Sequence, residues 1–329
     1  MARLKRVRRI LRFCLWSVLV IVGLGGGLFS YYVYTPASEI PQLTGTLNRG
    51  SVEVGGLKRT YTIYEPRGLA RGAPLVLAMH GSGENAAQMR TATGYGFDRL
   101  ADERGFAVVY PNGYEGSWNG CNIAGDYSAN TLDIDDVGFL SAVADKLTSE
   151  IGVDPGRVFA IGVSRGASMA LRLALEAPSH FRAVAAVSEN VPSPENFKCK
   201  PPAHGTSSVM IMNGTKDPLV PFEGGEVNLF GLFFRRGKVL SSRASGQYFA
   251  DLNHIVGAPG TNETTVADGV RVERVLWRND SKVEVELVAI RGGGHGLPQP
   301  YHRHPRLLGP SPKEPNGADV IWAFFERQR

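Results

Sequence analysis

One stretch, RVFAIGVSRGASMALRLA at positions 157–174, constrains the fold of this chain more than any other. Its apolar run at 158–163 is typical of a buried strand and ends at Ser164, after which alanines and leucines recur at helical spacing. Gly162 and Gly166 stand two residues before and two residues after the serine. A strand that turns directly into a helix is the repeating unit of an α/β fold, so the stretch predicts that architecture.

Further apolar runs repeat this pattern along the chain. Most are apolar on consecutive residues, which is typical of strands buried on both faces of a parallel sheet. Helical patterns separate them, so we predict a mainly parallel, doubly wound α/β sheet, preceded by a glycine-turn hairpin. The predicted sheet strands are 75–79, 106–110, 158–163, 183–187, 208–212 and 283–290, and the hairpin strands are 51–54 and 59–66.

The N-terminal region predicts a membrane or export segment. Positions 14–34 contain no charged residue and are long enough to span a bilayer as a helix. Residues 1–13 carry six Lys or Arg side chains, so the positive-inside rule puts them in the cytoplasm and the rest of the chain outside it. Two interpretations stay open: an uncleaved signal anchor, favoured by the length of the run, and a cleaved signal peptide.

The remaining domain organisation follows from the same patterns. We expect a linker at 35–50 and one large α/β domain at 51–329. Residues 222–269 interrupt the alternation of strands and helices and are interpreted as an insertion between strands. Within it, the apolar segment 228–238 is a candidate lid, a membrane contact or a buried helix.

The distribution of charge argues against a nucleic-acid partner. The formal net charge is +5, but six of the 36 Lys and Arg residues lie within positions 1–13. The rest of the chain then has 30 basic residues against 31 acidic ones, so it lacks the excess of positive charge that binds nucleic acid. We also find no clustered spacing typical of metal ligands, and we expect neither a metal nor another cofactor.

Three polar residues stand at the carboxyl ends of predicted strands, where α/β folds build their active sites. Ser164 follows the run 158–163, Asp217 follows 208–212, and His295 follows 283–290. A serine becomes a nucleophile when a histidine takes its proton and a carboxylate orients that histidine. Their order and placement therefore predict a Ser–Asp–His catalytic triad. His254 and Asp251 are rival partners, but they lie on an apparently helical segment of the insertion.

The sequence also suggests which residues complete the active site around this triad. A tight strand-to-helix turn leaves the N–H of Arg165 free to stabilise an oxyanion, and the loop after the strand 75–79 should supply a second donor, the N–H of Ser82. His80 precedes that loop and is interpreted as structural. Trp118, Tyr114 and Tyr127, in the loop after the strand 106–110, are candidates to line the substrate pocket, with packing or an exposed loop position the favoured interpretation for the two tyrosines.

The motifs HGSGENA, WNGC…DIDDVGFL, IGVSRGASMA, NGTKDPLVPFEGG, RGGGHGLP and ADVIWAFFERQ together resemble the polyhydroxybutyrate depolymerase and feruloyl esterase group of α/β-hydrolases, particularly its secreted bacterial esterases. The resemblance covers most of residues 50–329. It implies an α/β-hydrolase fold with Ser164, Asp217 and His295 as the triad.

Whether the cysteines can form a disulfide depends on the predicted topology. If residues after the apolar run lie outside the cytoplasm, Cys121 and Cys199 are in an oxidising compartment, where they form either a disulfide or two free thiols. The family resemblance makes them plausible disulfide partners.

The sequence thus predicts a serine carboxylesterase on the periplasmic or extracellular side, membrane-anchored or, after signal cleavage, secreted. Its expected partners are the membrane, through the N-terminal helix, and a small-molecule or oligomeric ester of hydroxycinnamoyl, acetyl or short hydroxyalkanoate type. One alternative is a serine peptidase or lactone hydrolase on the same triad. Another is a non-catalytic envelope binding protein that has kept the hydrolase fold.

Overall fold

The computed structural model describes residues 2–202, 205–229, 231, 233, 235–279 and 283–328. Within these ranges, strands and helices alternate as expected for an α/β protein. The strands are β1 (Thr46–Val54), β2 (Leu57–Glu65), β3 (Leu75–Met79), β4 (Ala107–Pro111), β5 (Val158–Val163), β6 (Ala183–Val187), β7 (Ser208–Gly214), β8 (Gly225–Glu226), β9 (Lys238–Val239), β10 (Gly260–Thr265), β11 (Arg271–Arg278) and β12 (Glu284–Ile290). The helices are α1 (Ala2–Tyr32), α2 (Ala86–Ala92), α3 (Gly96–Arg104), α4 (Ser128–Thr131), α5 (Asp136–Glu150), α6 (Arg165–Glu176), α7 (Ser242–Leu252) and α8 (Gly317–Arg327).

Ten of the described strands form one sheet in the order β1-β2-β4-β3-β5-β6-β7-β12-β11-β10. The six central strands, from β4 to β12, pair in parallel. The strands outside them, including the predicted β1–β2 hairpin, pair antiparallel. The mainly parallel α/β sheet predicted from the sequence is confirmed.

Helices cover both faces of the sheet, and alternate residues of each central strand enter opposite layers. In β3, Leu75 and Leu77 pack in the layer that contains α5, α6 and α7. Val76 and Ala78 pack in the layer that contains α2, α3 and α8. Because both faces of β3 are fully buried, this strand is apolar at consecutive positions.

The range 222–269 is more than an insertion. It contains α7, which packs against β7, β11 and β12 and buries Phe249 and Ala250 in the core. It also contains β10, an exposed edge strand that extends the sheet. Within the segment 228–238, residues 230, 232 and 234 lie outside the described residues, so its proposed role as a lid stays a prediction.

The N-terminal region contains one long helix, α1. Its part Arg9–Tyr32 is 24 residues long with a mean hydropathy of 2.0, and none of it is buried within the protein. Length and composition would allow it to cross a membrane, although a signal sequence has the same properties. The sheet begins earlier than expected: β1 starts at Thr46, inside the predicted linker 35–50, because its ladder with β2 extends to Glu65.

The structure joins Cys121 and Cys199 in a disulfide. The bond ties the loop after β4 to the chain that precedes β7. Cys14, on α1, is an exposed free cysteine.

Candidate active site

Ser164 occupies a sharp turn between β5 and α6. Its φ of 54° and ψ of −117° are unusual for a residue with a side chain, and such strain is typical of functional positions. The flanking glycines, Gly162 and Gly166, are required because neighbouring backbone leaves no room for a side chain. A Cβ on Gly162 would lie 2.0 Å from the carbonyl of Gly166, and one on Gly166 would lie 2.3 Å from the carbonyl oxygen of Met79. The turn can therefore form only without side chains at both positions.

Asp217 and His295 meet at the same edge of the sheet. The Nδ1–H of His295 donates to Asp217 Oδ2 at 2.8 Å. The other carboxylate oxygen, Oδ1, accepts the N–H groups of Leu219 and Val220 at 2.8 and 2.9 Å. These bonds fix the carboxylate and leave Nε2 of His295 as the atom able to accept a proton.

The surroundings of His295 favour its protonated form. Burial lowers the pKa of His295, but the charge of Asp217 and its hydrogen bond raise it, and Glu189 and Glu84 add to the increase. The net shift of the pKa is upward. Together the carboxylates therefore outweigh the loss of solvent, and the imidazole is a stronger base than an ordinary histidine.

A cavity of about 360 Å³ contains the candidate residues. Ser164, His295 and Ser82 all line it, and apolar side chains from α2 and from the chain after β7 and β12 form much of its wall. Among the described residues, the hydroxyl of Ser164 makes no side-chain hydrogen bond. The structure thus brings the serine and histidine to one cavity, while the bond between their side chains is not formed.

Two backbone N–H groups beside Ser164 are available to an oxyanion. Those of Ser82 and Arg165 have no acceptor within the described part of the chain. The N–H of Gly81 is occupied, because it donates to Glu84 Oε2 at 2.9 Å. The loop is close to the nucleophile, since a Cβ built on Gly81 would lie 3.7 Å from Ser164 Cβ. The two donors expected from the sequence are the unoccupied ones.

His80 is a structural residue of this loop. Its Nε2 accepts the N–H of Gly113 at 2.9 Å, so its Nδ1–H donates to the carbonyl of Gly81 at 2.7 Å. Burial lowers the pKa of His80 to about 4. A neutral imidazole bonded at both nitrogens can hold the loop in place but has no nitrogen left for catalysis.

Trp118, which we expected to line the substrate pocket, lies in the core instead. Trp118 is fully buried, its Nε1–H donates to the carbonyl of His80 at 2.9 Å, and it is not among the described residues that line the cavity. Tyr127 from the same loop does line the cavity, and its hydroxyl bonds to Ser82 Oγ at 2.8 Å. An aromatic residue in a loop gives no signal that separates these two roles.

The buried side chain of Arg165 anchors that loop. It donates to the carbonyl of Trp118 and to the side chains of Asn122 and Asn130, and its guanidinium stacks over the ring of Tyr127. Burial lowers the pKa of Arg165 to about 10. Its backbone therefore faces the candidate oxyanion site while its side chain orders one wall of the cavity.

Two acidic residues of the cavity were not expected from the sequence. Glu84 follows the oxyanion loop and Glu189 follows β6, and both line the cavity with Ser164 and His295. Their placement at the carboxyl ends of strands was a signal that could have found them. The rivals His254 and Asp251 do not line this cavity, and Asp251 accepts a hydrogen bond from its helix neighbour Gln247.

Known proteins with similar sequences are esterases. Residues 59–218 match the family model for esterase PHB depolymerase. The esterase-type protein NocK of Nocardia uniformis subsp. tsuyamanensis is 31% identical over 89% of this chain and 86% of its own length. Feruloyl esterase C of Emericella nidulans is 29% identical over 55% of this chain and 62% of its own length.

A solved structure gives the same fold. The acetyl xylan esterase from Aspergillus awamori superimposes with a TM-score of 0.59 at 17% identity, over 86% of this chain and 100% of that protein. At that level of identity the likeness concerns the fold alone.

Proposed function

The chain belongs to the esterase PHB depolymerase family, and we propose that it is a serine carboxylesterase that works through Ser164, His295 and Asp217. The observation that carries the proposal is the 2.8 Å hydrogen bond between His295 Nδ1 and Asp217 Oδ2, at a cavity that Ser164 also lines. The names of its relatives support carboxylic esters as substrates, and hydroxycinnamoyl, acetyl and short hydroxyalkanoate esters are the classes we propose.

In the first half of the reaction, the ester carbonyl lies beside Ser164. Nε2 of His295 takes the proton of the serine hydroxyl as its oxygen attacks the carbonyl carbon. Asp217 stabilises the imidazolium that results. The N–H groups of Ser82 and Arg165 bind the developing oxyanion, and each such donor contributes about 3 kcal/mol of transition-state stabilisation. The imidazolium then protonates the departing alcohol, which leaves an acyl group on Ser164.

In the second half, water enters in place of the alcohol. His295 removes a proton from the water as it attacks the acyl carbon, and the same oxyanion donors act again. Collapse of the intermediate returns the proton to Ser164 and releases the carboxylic acid. Hydrogen bonds between nucleophile and base commonly tighten only when substrate binds, which accounts for the unbonded Ser164 hydroxyl.

The test compares Ser164→Ala with wild type, as full chains in detergent. We expect a loss of p-nitrophenyl acetate and methyl ferulate hydrolysis of about 10³-fold or more, with loss of fluorophosphonate labelling and an unchanged circular dichroism spectrum. Ser149→Ala, at an exposed position on α5, is the matched control and should keep full activity. Undiminished hydrolysis in Ser164→Ala would refute the assignment of the nucleophile.

We also propose that the catalytic domain is extracytoplasmic. The apolar part of α1, the basic residues at its N-terminal end and the disulfide support this location. A C-terminal alkaline phosphatase fusion should be active, because that reporter needs an oxidising compartment. An inactive phosphatase fusion together with a fluorescent cytoplasmic reporter fusion would place the domain in the cytoplasm instead.

A further inference from the structure

One short segment touches the strands and loops that carry all three proposed catalytic residues. The carbonyl of Val187, at the end of β6, accepts the N–H of Ser164 at 2.8 Å. The hydroxyl of Ser188 accepts the N–H of Gly296, the residue after His295, at 2.7 Å. The next residue, Glu189, is hydrogen-bonded through its N–H to Asn213 of β7, the strand that leads to Asp217.

The backbone of this segment is tightly held. Ser188 is fully buried and has a φ of 57°, an uncommon value for a residue with a side chain. Its N–H donates to the carbonyl of Met212 at 3.0 Å, and the N–H of Glu189 donates to Asn213 Oδ1 at 3.2 Å. Strained residues persist where several contacts determine them, and they concentrate at functional sites.

This segment places Glu189 at the catalytic cavity. Glu189 lines the cavity together with Ser164 and His295. One of its oxygens, Oε1, accepts the N–H of Asn190 at 3.0 Å. In the described part of the chain, Glu189 forms no ion pair. Arg165 lines the same cavity, but its guanidinium donates to neutral acceptors.

The titratable groups that act on His295 come from several neighbouring strand ends. They are Asp217 after β7, Glu189 after β6, Glu84 after β3, and the titratable His304 in the loop after β12. Burial raises the pKa of Glu189 to about 7, while Arg165 and His295 act in the opposite direction. Glu189 therefore changes its charge in the pH range in which a catalytic histidine works.

We propose that Glu189 is a positioning residue for His295: its carboxylate, held by the segment 187–190, stabilises the imidazolium that forms when His295 takes the proton of Ser164. This inference rests on the proposed function. Asp217 binds His295 directly, whereas Glu189 acts across the cavity as a second negative charge. The Ser–His–Asp mechanism itself does not include an acid at this position.

Two consequences separate this role from a purely structural one. Replacing the carboxylate by an amide removes a negative charge, so the imidazolium is less stable and His295 loses its proton at lower pH. The acidic limb of kcat/KM then moves to lower pH. The same charge is missing when the imidazolium forms in the transition state, so the plateau at high pH falls. A change that only disturbs packing does not move the limb.

The experiment measures kcat/KM for p-nitrophenyl acetate from pH 5 to 9 with full-length wild type, Glu189→Gln and Glu189→Asp in detergent. For Glu189→Gln we expect the acidic limb about 0.5 to 1 pH unit lower and the plateau about three- to tenfold lower. Glu189→Asp keeps the charge and should recover much of both effects. Glu53→Gln, at an exposed position on β1, is the matched control and should behave as wild type.

Several results would overturn the inference. If the acidic limb of kcat/KM in Glu189→Gln stays where it is in wild type, the inference is refuted. This holds even if KM rises, as for a residue that contacts substrate, or if the variant is less stable. If Glu189→Gln does not fold, the pH profile of wild type still tests the inference. A midpoint of its acidic limb below pH 6.5 would contradict a stabilised imidazolium. Fluorophosphonate labelling separates the two levels: a labelled, active wild type with an unmoved limb refutes only this inference, whereas an unlabelled, inactive wild type refutes the proposed function.

Discussion

Two buried histidines follow two buried parallel strands of this protein, and they differ in chemistry. His80 follows β3 and His295 is in the loop after β12, and the two flank the turn that carries Ser164. The pKa of His80 is lowered to about 4, whereas that of His295 is raised. Burial lowers the pKa of both, so burial alone does not make a histidine a base.

The difference lies in what each imidazole contacts. His80 is bonded to a backbone carbonyl and a backbone N–H, which are neutral and fix one uncharged tautomer. His295 is bonded to the carboxylate of Asp217, whose negative charge favours the imidazolium. The comparison teaches that the partner of a buried histidine decides between holding a loop and moving a proton.

Asp217→Asn should have the largest effect on the difference between the two histidines, because it makes the surroundings of His295 resemble the neutral surroundings of His80. The amide oxygen can still accept the N–H groups of Leu219 and Val220, so the fold should persist. We expect kcat to fall on the order of 10³- to 10⁴-fold, because the tautomer and the imidazolium lose their support. Steady-state hydrolysis of p-nitrophenyl acetate measures this.

The control for this variant is Asp251→Asn, on α7 and remote from the cavity, which should leave kcat unchanged. Activity in Asp217→Asn within tenfold of wild type would mean that His295 does not depend on this carboxylate.

His80→Ala should affect stability more than chemistry. It leaves the N–H of Gly113 without its acceptor and removes volume beside the buried Trp118. We expect a loss of about 3 kcal/mol in the free energy of unfolding, which corresponds to a thermal midpoint about 6 °C lower. The rate per folded molecule should fall less than tenfold. A large rate loss with an unchanged midpoint would instead make His80 a catalytic residue.

The smallest expected effect is the contribution of His80 to the pH dependence of stability. Because the pKa of His80 in the folded protein is about 4 and that of an unfolded histidine is near 6.5, only the unfolded chain binds this proton between those values. Stability therefore falls as the pH decreases through that window. His80 should contribute a loss of about 2 kcal/mol, or about 4 °C in the thermal midpoint, between pH 7.5 and pH 5.

The measurement compares the thermal midpoints of wild type and His80→Ala at these two pH values. The variant should lose less of its midpoint on acidification than wild type does. Equal losses in both proteins would show that His80 is protonated in the folded state at pH 5.

Much of the fold could be predicted from local patterns. The central strands are apolar at consecutive positions because helices cover both faces, and that pattern is visible without a structure. β11 was missed because its buried residues Val272, Val275 and Trp277 are separated by charged or partly exposed residues, so the strand has no long run of consecutive apolar positions. The interpretation of 222–269 as an insertion recognised a helical segment but missed that α7 packs in the core, since its apolar residues are few and their contacts depend on distant strands.

What the sequence determined by itself is the parallel α/β sheet, the glycine-flanked turn at Ser164, and the order of the candidate serine, aspartate and histidine along the chain. These depend on short-range spacing, on the space that a tight turn allows, and on the rule that loops after parallel strands meet at one edge. Only the tertiary structure decided that Trp118 lies in the core and that Glu84 and Glu189 face the cavity. It also decided which of the two buried histidines, His80 or His295, contacts a carboxylate. Such contacts join residues tens to hundreds of positions apart, and their distances depend on how the strands and loops pack, which local spacing does not specify.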